Sequence, residues 1–383
     1  MLYHLASEAF QWYRQAPVSF PVLGSDVLLL TRFLMYLSVR AILAILTSFV
    51  VTMLVGRRLI RFLHAHHVRD TVKDFGTISA TDKRGTPTMG GLIIITSLVV
   101  PVLLWCDLTN RFVQIALAAT AWFGALGVVD DYLKVRPYRG RIRGLGEAQK
   151  LALQGLFGLG LGIAYLTPAI SPVPQEVAGS FYVPFYKYAV LHDIGWWYLP
   201  FIVFVTLLIS NSVNLTDGMD GLAIMPANFA VLVYGVIAYA MGNLVYAEYL
   251  RYDYLHGSGE LLVFCAALFG AGLGFLWYNA YPAEIIMGDT GSMALGGILA
   301  SLAIMLKQEV LFLIVGGVFV AETLSSFIQQ KIGENFLGRR IFYRAPLHHQ
   351  MEYRGLAETK VVIRLWIIAG LLAMVGLASM KLR

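Results

Sequence analysis

The stretch YLSVRAILAILTSFVVTMLV at residues 36–55 decides the fold class of this chain. Arg40 is its only charged residue, and a helix of about 20 apolar residues crosses the roughly 30 Å hydrocarbon core of a bilayer. Comparable stretches recur, so the sequence predicts an all-α, polytopic integral membrane protein with about ten transmembrane helices. The predicted spans are 36–55, 88–106, 112–129, 148–168, 197–213, 221–241, 260–278, 292–306, 310–329 and 361–380.

The composition of the chain excludes other protein classes. Of 383 residues, 58% are hydrophobic and 14% are charged, whereas soluble domains carry about 25% charged residues. A disordered chain and a fibrous repeat are excluded on the same ground. Two cysteines in apolar surroundings offer neither a disulfide framework nor a metal spacing. We expect a single transmembrane domain over residues 1–383.

The distribution of basic residues predicts the orientation in the membrane. The loops 56–87, 130–147 with Lys150, and 330–360 hold 19 of the 29 Lys and Arg residues. Lys and Arg accumulate on the cytoplasmic side of a membrane, so we expect these loops in the cytoplasm. An even number of spans then puts both termini outside. Because the net charge of +6 follows this pattern, we expect no nucleic acid partner.

Acidic residues gather at the predicted cytoplasmic ends of the spans. They end the third span or lie in NLTDGMDG (214–221) and MGDTGS (287–292). One such residue alone would be read as a turn former or a helix cap. A carboxylate at membrane depth costs about 2.5–3.5 kcal/mol and tends to mark a functional site, so five from three segments favour function. They are Asp130, Asp131, Asp217, Asp220 and Asp289.

The residue types around these carboxylates predict phosphoryl transfer. Carboxylates suit Mg²⁺, which prefers oxygen ligands and shares them with substrate phosphates. Lys83 and Arg84 precede GTPTMGG (85–91), and Lys134 lies one turn beyond the paired aspartates. Glycines allow backbone N–H groups to approach an anion at the start of a helix. Magnesium, lysines and a glycine loop together are typical of phosphoryl transfer, where catalysis is mostly positioning and charge stabilisation.

A pair of histidines adds a third element to the predicted site. His348 and His349 lie in APLHHQME (345–352), within the last predicted cytoplasmic loop. Adjacent residues do not share one face of a helix, which disfavours a two-histidine metal clamp. Binding of a phosphate or a sugar hydroxyl, or proton transfer, fits this pair better.

Five motifs in the chain occur in the order of a known family. They are GTPTMGG after Lys83 and Arg84, VDDYLK at 129–134, NSVNLTDGMDGLA at 211–223, FLWYNAYPAEIIMGDTGSMALGG at 275–297 and APLHHQME at 345–352. With these motifs the chain resembles the bacterial phospho-N-acetylmuramoyl-pentapeptide transferases, of the polyprenyl-phosphate N-acetylhexosamine-1-phosphate transferase superfamily. The resemblance covers essentially the whole chain.

The resemblance implies a reaction and a location. UDP-N-acetylmuramoyl-pentapeptide would donate its phospho-sugar to undecaprenyl phosphate, giving lipid I and UMP, with Mg²⁺ required. This is the first membrane step of peptidoglycan synthesis, on which cell wall biogenesis, cell shape and cell division depend. The family also implies a multi-pass homodimer in the bacterial cytoplasmic (inner) membrane, with its active site facing the cytoplasm.

Residue roles follow from the matched motifs. The resemblance makes Asp289 the magnesium ligand and gives Asp130 the role of deprotonating or orienting the lipid phosphate. The other implied catalytic residues are Asp131, Asp220, His348 and His349. The implied substrate-binding residues are Lys83, Thr88, Lys134, Asn214, Asp217, Asn279 and Gln350.

Two positions depart from the family pattern. Gln350 stands where many members have a third histidine, and glutamine does not take up a proton. Ile286 stands where a phenylalanine that stacks on uracil precedes MGD, so aliphatic contact replaces stacking worth about 0.5–1.5 kcal/mol. Both departures concern nucleotide and inhibitor affinity.

The sequence leaves three alternatives open. An aspartate could attack the donor first and form a covalent intermediate, although direct attack is favoured because the lipid phosphate is already largely ionised near neutral pH. A sister transferase would use UDP-N-acetylglucosamine, against which DDYLK and APLHHQME argue. A secondary transporter would place its acids near the bilayer midplane at a repeat interface, whereas these acids lie at one mouth.

Overall fold

The computed structural model describes residues 1–15, 31–66, 68, 85–135 and 144–382. Lys83 and Arg84 lie outside these residues. The regular secondary structure of the described residues is helical, and these residues form no β-sheet.

Fifteen α-helices are numbered here in chain order. They are α1 Leu2–Gln15, α2 Leu37–Ala65, α3 Gly91–Trp105, α4 Arg111–Val135, α5 Glu147–Leu166, α6 Gln175–Ala178, α7 Tyr198–Thr216, α8 Ile224–Met241, α9 Leu244–Leu250, α10 Glu260–Asn279, α11 Gly288–Met305, α12 Phe312–Val315, α13 Gly317–Phe327, α14 Leu347–Tyr353 and α15 Glu358–Ser379. A 3₁₀ turn at Gly195–Trp197 precedes α7, and a π-helical segment at Ile328–Phe336 follows α13.

Seven helices of the described residues are long and apolar enough to cross a membrane. They are α2, α4, α7 with its preceding 3₁₀ turn, α8, α10, α11 and α15. Helix α3 is apolar but shorter. An all-helical chain with this many apolar helices has the architecture of a polytopic membrane protein, as predicted.

Two other predicted spans also lie outside the seven long apolar helices. The predicted span 310–329 is divided into α12 and α13, which meet at Gly316. The predicted span 148–168 is α5, a helix whose first turns carry Lys150 and Gln154. Helix α2 continues ten residues beyond the predicted end at residue 55, because the arginines that follow are good helix formers although they end the apolar run.

Helix α11 lies at the centre of the bundle. Every residue from Thr290 to Met305 is buried, as expected of a helix that is surrounded by others. It packs against α3, α4 and α7, while α10 packs against α2, α3 and α8. A Cβ on Gly91 would overlap the backbone of Gly291, and one on Gly127 would overlap the backbone at Asp289. These small residues let the start of α11 approach the start of α3 and the end of α4.

The bundle therefore has an end where α4 finishes and α3 and α11 begin, which we call the aspartate end. The described chain termini lie at the opposite end. The amino group of Met1 donates to the carbonyl of Leu103, near the end of α3. The ammonium of Lys381 lies 3.6 Å from the ring centre of Tyr249 in α9. Long helices thus separate both described ends of the chain from the candidate site.

Candidate active site

Asp130 and Asp289 meet at the aspartate end, where two lysines bridge them. Asp130 in α4 is fully buried. The ammonium of Lys150 donates to Oδ2 of Asp130 and to Oδ2 of Asp289, each at 2.7 Å. The ammonium of Lys134 lies 2.8 Å from Oδ2 of Asp130 and 3.1 Å from Oδ1 of Asp289. We call these four residues the aspartate–lysine cluster.

The position of Asp289 in its helix differs from the expectation. The sequence places it between two spans, whereas the structure places it in the first turn of α11. A carboxylate at a helix N-terminus is stabilised by the positive end of the helix dipole. The apolar run that predicted the span begins only at residue 292, because the preceding helical turn is polar.

Asp131 caps α11 from a different helix. Its Oδ1 accepts from the backbone N–H of Asp289 at 3.0 Å, and its Oδ2 accepts from the N–H and the hydroxyl of Thr290 at 2.9 and 2.7 Å. The first amides of a helix have no partner within that helix. Asp131 satisfies two of them and thereby fixes the backbone that carries Asp289.

The three neighbouring carboxylates fit the oxygen ligands that Mg²⁺ prefers. Oxygen atoms of Asp130, Asp131 and Asp289 all lie within 4.8 Å of one another. Asp131 and Asp289 also line a cavity of about 90 Å³, which is enough for several water molecules. Because Asp131 is committed to the cap, Asp289 is the cavity-lining carboxylate best placed to hold a cation, with Asp130 beside it.

Several predicted substrate-binding residues line this cavity. Its other walls are Thr88, Lys134, Val135, Asn214, Asp217, Ile286, Gly288 and Ser292. Thr88 is buried, and the amide of Asn214 donates to the hydroxyl of Ser292 at 2.8 Å. The structure therefore brings together the segments that contain Thr88, Asp217 and Asp289. Ile286 lines the same cavity with its aliphatic side chain.

The glycine loop has another role than the one predicted. The prediction that its amides approach an anion is wrong for Gly90 and Gly91. Their N–H groups donate to the carbonyls of Ile286 and Met287, each at 2.9 Å. Since each amide has one hydrogen to donate, these two are committed to the segment before α11. The glycines serve backbone-to-backbone packing.

Asp220 and Asn279 lie outside the cavity and hold the neighbouring loops. The carboxylate of Asp220 accepts from the N–H of Ala283 at 3.1 Å. The amide of Asn279 accepts from the N–H of Gly221 at 2.9 Å and donates to the carbonyl of Ile285 at 2.9 Å. These contacts join the turn after α7 to the segment before α11. Both side chains therefore fix the positions of these two segments from outside the cavity.

His348 is buried beside a glutamate and a glycine. Its backbone N–H and its ring Nδ1 lie 3.3 and 3.1 Å from Oε2 of Glu322 in α13. A Cβ on Gly218 would overlap Nε2 of His348. The histidine therefore lies against the turn between Asp217 and Asp220, which links the histidine motif to the acidic loop.

His349 and Gln350 face other surroundings. Burial, with a smaller contribution from the neighbouring His348, lowers the pKa of His349 to about 4, so His349 is neutral at pH 7. His349 lines a separate cavity of about 430 Å³ together with Arg340, Arg344 and Gln329. The side-chain carbonyl of Gln350 accepts from the N–H of Arg344 at 2.9 Å, so this glutamine closes its own loop.

Sequence reasoning missed two residues that the structure places in the site. Lys150 was counted only among the basic residues of its loop, although it lies in the first turn of α5 next to both aspartates. Its position at the start of an otherwise apolar segment was the available signal. Glu322 contacts His348 across 26 residues, and only an acid within a predicted span pointed to it.

Comparison with known proteins shows the family of this chain. The model of glycosyl transferase family 4 matches residues 113–307, just over half of the chain. The phospho-N-acetylmuramoyl-pentapeptide-transferase signature 1 matches residues 83–95. A phospho-N-acetylmuramoyl-pentapeptide-transferase of Gemmatimonas aurantiaca is 46% identical over 376 residues, covering 94% of this chain and 98% of its own length. One of Citrifermentans bemidjiense is 44% identical over 363 residues, with the same coverage of both chains. The chain therefore belongs to the phospho-N-acetylmuramoyl-pentapeptide transferases of glycosyl transferase family 4.

Proposed function

We propose that this protein transfers phospho-N-acetylmuramoyl-pentapeptide from its UDP-linked donor to undecaprenyl phosphate, releasing UMP and forming lipid I. Family membership supports the pair of substrates. The observation that carries the chemistry is the aspartate–lysine cluster, in which Lys134 and Lys150 bridge Asp130 and Asp289 at one end of an apolar bundle. Phosphoryl transfer depends mainly on positioning and on stabilising charge, and this cluster supplies both.

The two lysines are suited to neutralise the phosphates of the donor. Each ammonium is held between two carboxylates, so its position is fixed before a substrate arrives. Charges that are already oriented need no reorganisation during the reaction and contribute more in a site that excludes water. Lys134 also lines the cavity beside Asp289, where it would meet an entering diphosphate.

We also propose that the reaction uses a bound Mg²⁺ ion. Asp289 would hold the ion with Asp130 as its neighbour, and bound Mg²⁺ would supply neutralisation of charge at the phosphate oxygens. The oxygen-only donor set supports this choice. Asp131 would act through the cap that fixes the start of α11.

Direct attack by the lipid phosphate is the mechanism that the contacts of Asp130 support. An oxygen of undecaprenyl phosphate forms a bond to the β-phosphorus of the donor, and UMP leaves with the electrons of the broken P–O bond. Oδ1 of Asp130 accepts from the N–H of Leu145 at 2.6 Å, and Oδ2 accepts from both lysines. A carboxylate with these partners is a weak nucleophile, and the same partners favour a role in orienting the acceptor.

The same proposal includes a membrane arrangement. We infer a single transmembrane domain of ten spans in the bacterial inner membrane, with the aspartate end in the cytoplasm and both termini outside. The charge distribution supports this orientation. The spans beyond the seven long apolar helices would be α3, α5, and α12 with α13. Resemblance to the family supports a homodimer.

Release of UMP tests the proposal. Purified protein with UDP-N-acetylmuramoyl-pentapeptide should release UMP only when undecaprenyl phosphate is present, and one lipid I should form for each UMP. UDP-N-acetylglucosamine in place of the donor should give no release. Equal release from both nucleotides would favour the sister transferase, and substrate uptake into sealed vesicles without UMP would favour a transporter.

A further inference from the structure

Glu322 is a buried acid in a helix of the membrane bundle, and the proposed reaction gives it no role. It is 1% exposed and lies in α13. A charged or polar group in such a position is costly unless it is hydrogen-bonded. Its partner is His348, which is also 1% exposed. The pair joins α13 to the short helix α14.

The contacts of the pair fix the orientation of the imidazole. Oε2 of Glu322 lies 3.1 Å from Nδ1 and 3.3 Å from the backbone nitrogen of His348. A carboxylate accepts hydrogen bonds and has none to donate, so Nδ1 of His348 carries the proton. Two contacts to one carboxylate oxygen constrain both the backbone and the ring.

The other ring nitrogen faces the acidic loop. Nε2 of His348 lies against Gly218, where even a Cβ would overlap it. Gly218 directly follows Asp217, which lines the cavity, and lies two residues before Asp220. Nε2 has no hydrogen-bond partner among the described residues. A buried nitrogen without a partner needs one from a ligand or from water.

We propose that Glu322 is a positioning residue that holds His348 with Nδ1–H toward the carboxylate and Nε2 toward the 217–220 turn, where the histidine binds the donor. This inference rests on the proposed function. Glu322 acts through His348 and does not touch the substrate. A carboxylate that orients a histidine in this way fixes its tautomer and its direction. For histidines that bind metals, loss of such a partner typically costs about 10- to 100-fold in activity, and we take the same range here.

A double-mutant cycle tests the proposal by kinetics. Glu322→Ala should lower kcat/KM for the donor by about 10- to 100-fold, mainly through KM. Glu322→Gln keeps an oxygen acceptor and should stay within about fivefold of wild type. In a His348→Ala background, Glu322→Ala should cost less than about twofold more, because residues that act as one unit are not additive.

A matched control removes a buried carboxylate elsewhere. Glu309 lies at the opposite end of the bundle, where it accepts from the hydroxyl of Tyr198. Glu309→Gln should leave kcat/KM unchanged in both backgrounds. Equal losses from Glu322→Ala with and without His348 would show a general structural role and overturn the proposal. Wild-type kinetics in Glu322→Ala, or a loss in Glu322→Gln as large as in the alanine variant, would overturn it as well.

A spectroscopic measurement keeps the proposal testable even where Glu322→Ala does not fold. Protein labelled with ¹⁵N-histidine should show one histidine with a protonated Nδ1 and an unprotonated Nε2 at neutral pH, assigned by its loss in His348→Gln. The opposite tautomer at His348 would contradict the proposal. This readout needs no turnover, so a failure of the proposed transferase reaction would remain distinguishable.

Discussion

Replacement of Lys150 by glutamine tests the electrostatics of the site most sharply. Lys150 lies 2.7 Å from Oδ2 of Asp130 and 2.7 Å from Oδ2 of Asp289. Removing it leaves both carboxylates to share Lys134 alone. The two aspartates then repel each other in surroundings where Asp130 is fully buried.

The size of the effect follows from burial. Breaking a buried ion pair by removing one partner costs about 3–5 kcal/mol. The side chain of Lys150 is 19% exposed and that of Asp289 is 16% exposed, and Lys134 continues to bridge the carboxylates. We therefore expect a loss of about 2–3 kcal/mol in the free energy of unfolding, below that range. Turnover should fall by about 10²- to 10³-fold, as when one charge-stabilising group is removed.

Two assays separate these effects. UMP release at saturating substrates gives kcat, and thermal unfolding in detergent gives the change in stability. Lys360→Gln is the matched control, since Lys360 is exposed in the first turns of α15, and it should change neither quantity. Turnover of Lys150→Gln within threefold of wild type would refute the electrostatic reasoning.

Three further predictions concern Asp131, Gly91 and His349. Asp131→Ala removes the cap of α11 and should lower stability by about 2–3 kcal/mol, measured by thermal unfolding; an unchanged melting temperature would contradict the capping role. Gly91→Ala should lower the free energy of unfolding by about 1–3 kcal/mol, because the new Cβ overlaps α11. Gly160→Ala is the control, since a Cβ there meets nothing within 4 Å, and it should leave that free energy unchanged or raise it by up to about 1 kcal/mol. Equal effects of the two variants on yield and melting temperature would refute the packing argument. Because the pKa of His349 is lowered to about 4, His349 is neutral throughout pH 5.5–8. His349→Gln should therefore leave the shape of the kcat–pH profile in that range unchanged. If the substitution instead removes a titration near pH 6.5 from the profile, the pKa of His349 is not lowered.

The sequence was sufficient for the features that depend on local composition. Apolar runs of about 20 residues predict membrane helices because the bilayer core sets their length. The acidic residues at the ends of those runs predicted that Asp130, Asp131, Asp217, Asp220 and Asp289 would come together. The structure brings four of them to the site, whereas Asp220 lies outside the cavity and accepts from the N–H of Ala283. That prediction needed only the direction of successive helices.

The sequence alone did not predict which hydrogen-bond and ion-pair partners each polar group would have. Asp130 and Asp131 are adjacent, yet one binds lysines and the other caps α11, because successive helical residues point in different directions. The amides of Gly90 and Gly91 were predicted to bind an anion, and only the packed structure shows that carbonyls of another segment already accept from them. Contacts between residues far apart in sequence decide both cases.

The division of the segment 310–329 was missed for a related reason. Its apolar composition satisfies the length of one span, and Gly316 and Gly317 within it are tolerated in membrane helices. The break at Gly316 and the contact of Glu322 with His348 belong to the same segment. An apolar run indicates that a helix is surrounded by lipid or by other helices, but it does not indicate whether the helix is continuous.

We propose that the aspartate–lysine cluster performs a magnesium-dependent phosphoryl transfer, and a magnesium titration of UMP release tests this proposal most directly. With both substrates present, wild-type protein should release UMP with a saturable dependence on Mg²⁺ and none in EDTA. Asp289→Asn should remain folded and lose that dependence together with at least about 10²-fold of the rate. Undiminished release by wild type in EDTA, or by Asp289→Asn in Mg²⁺, would contradict the account.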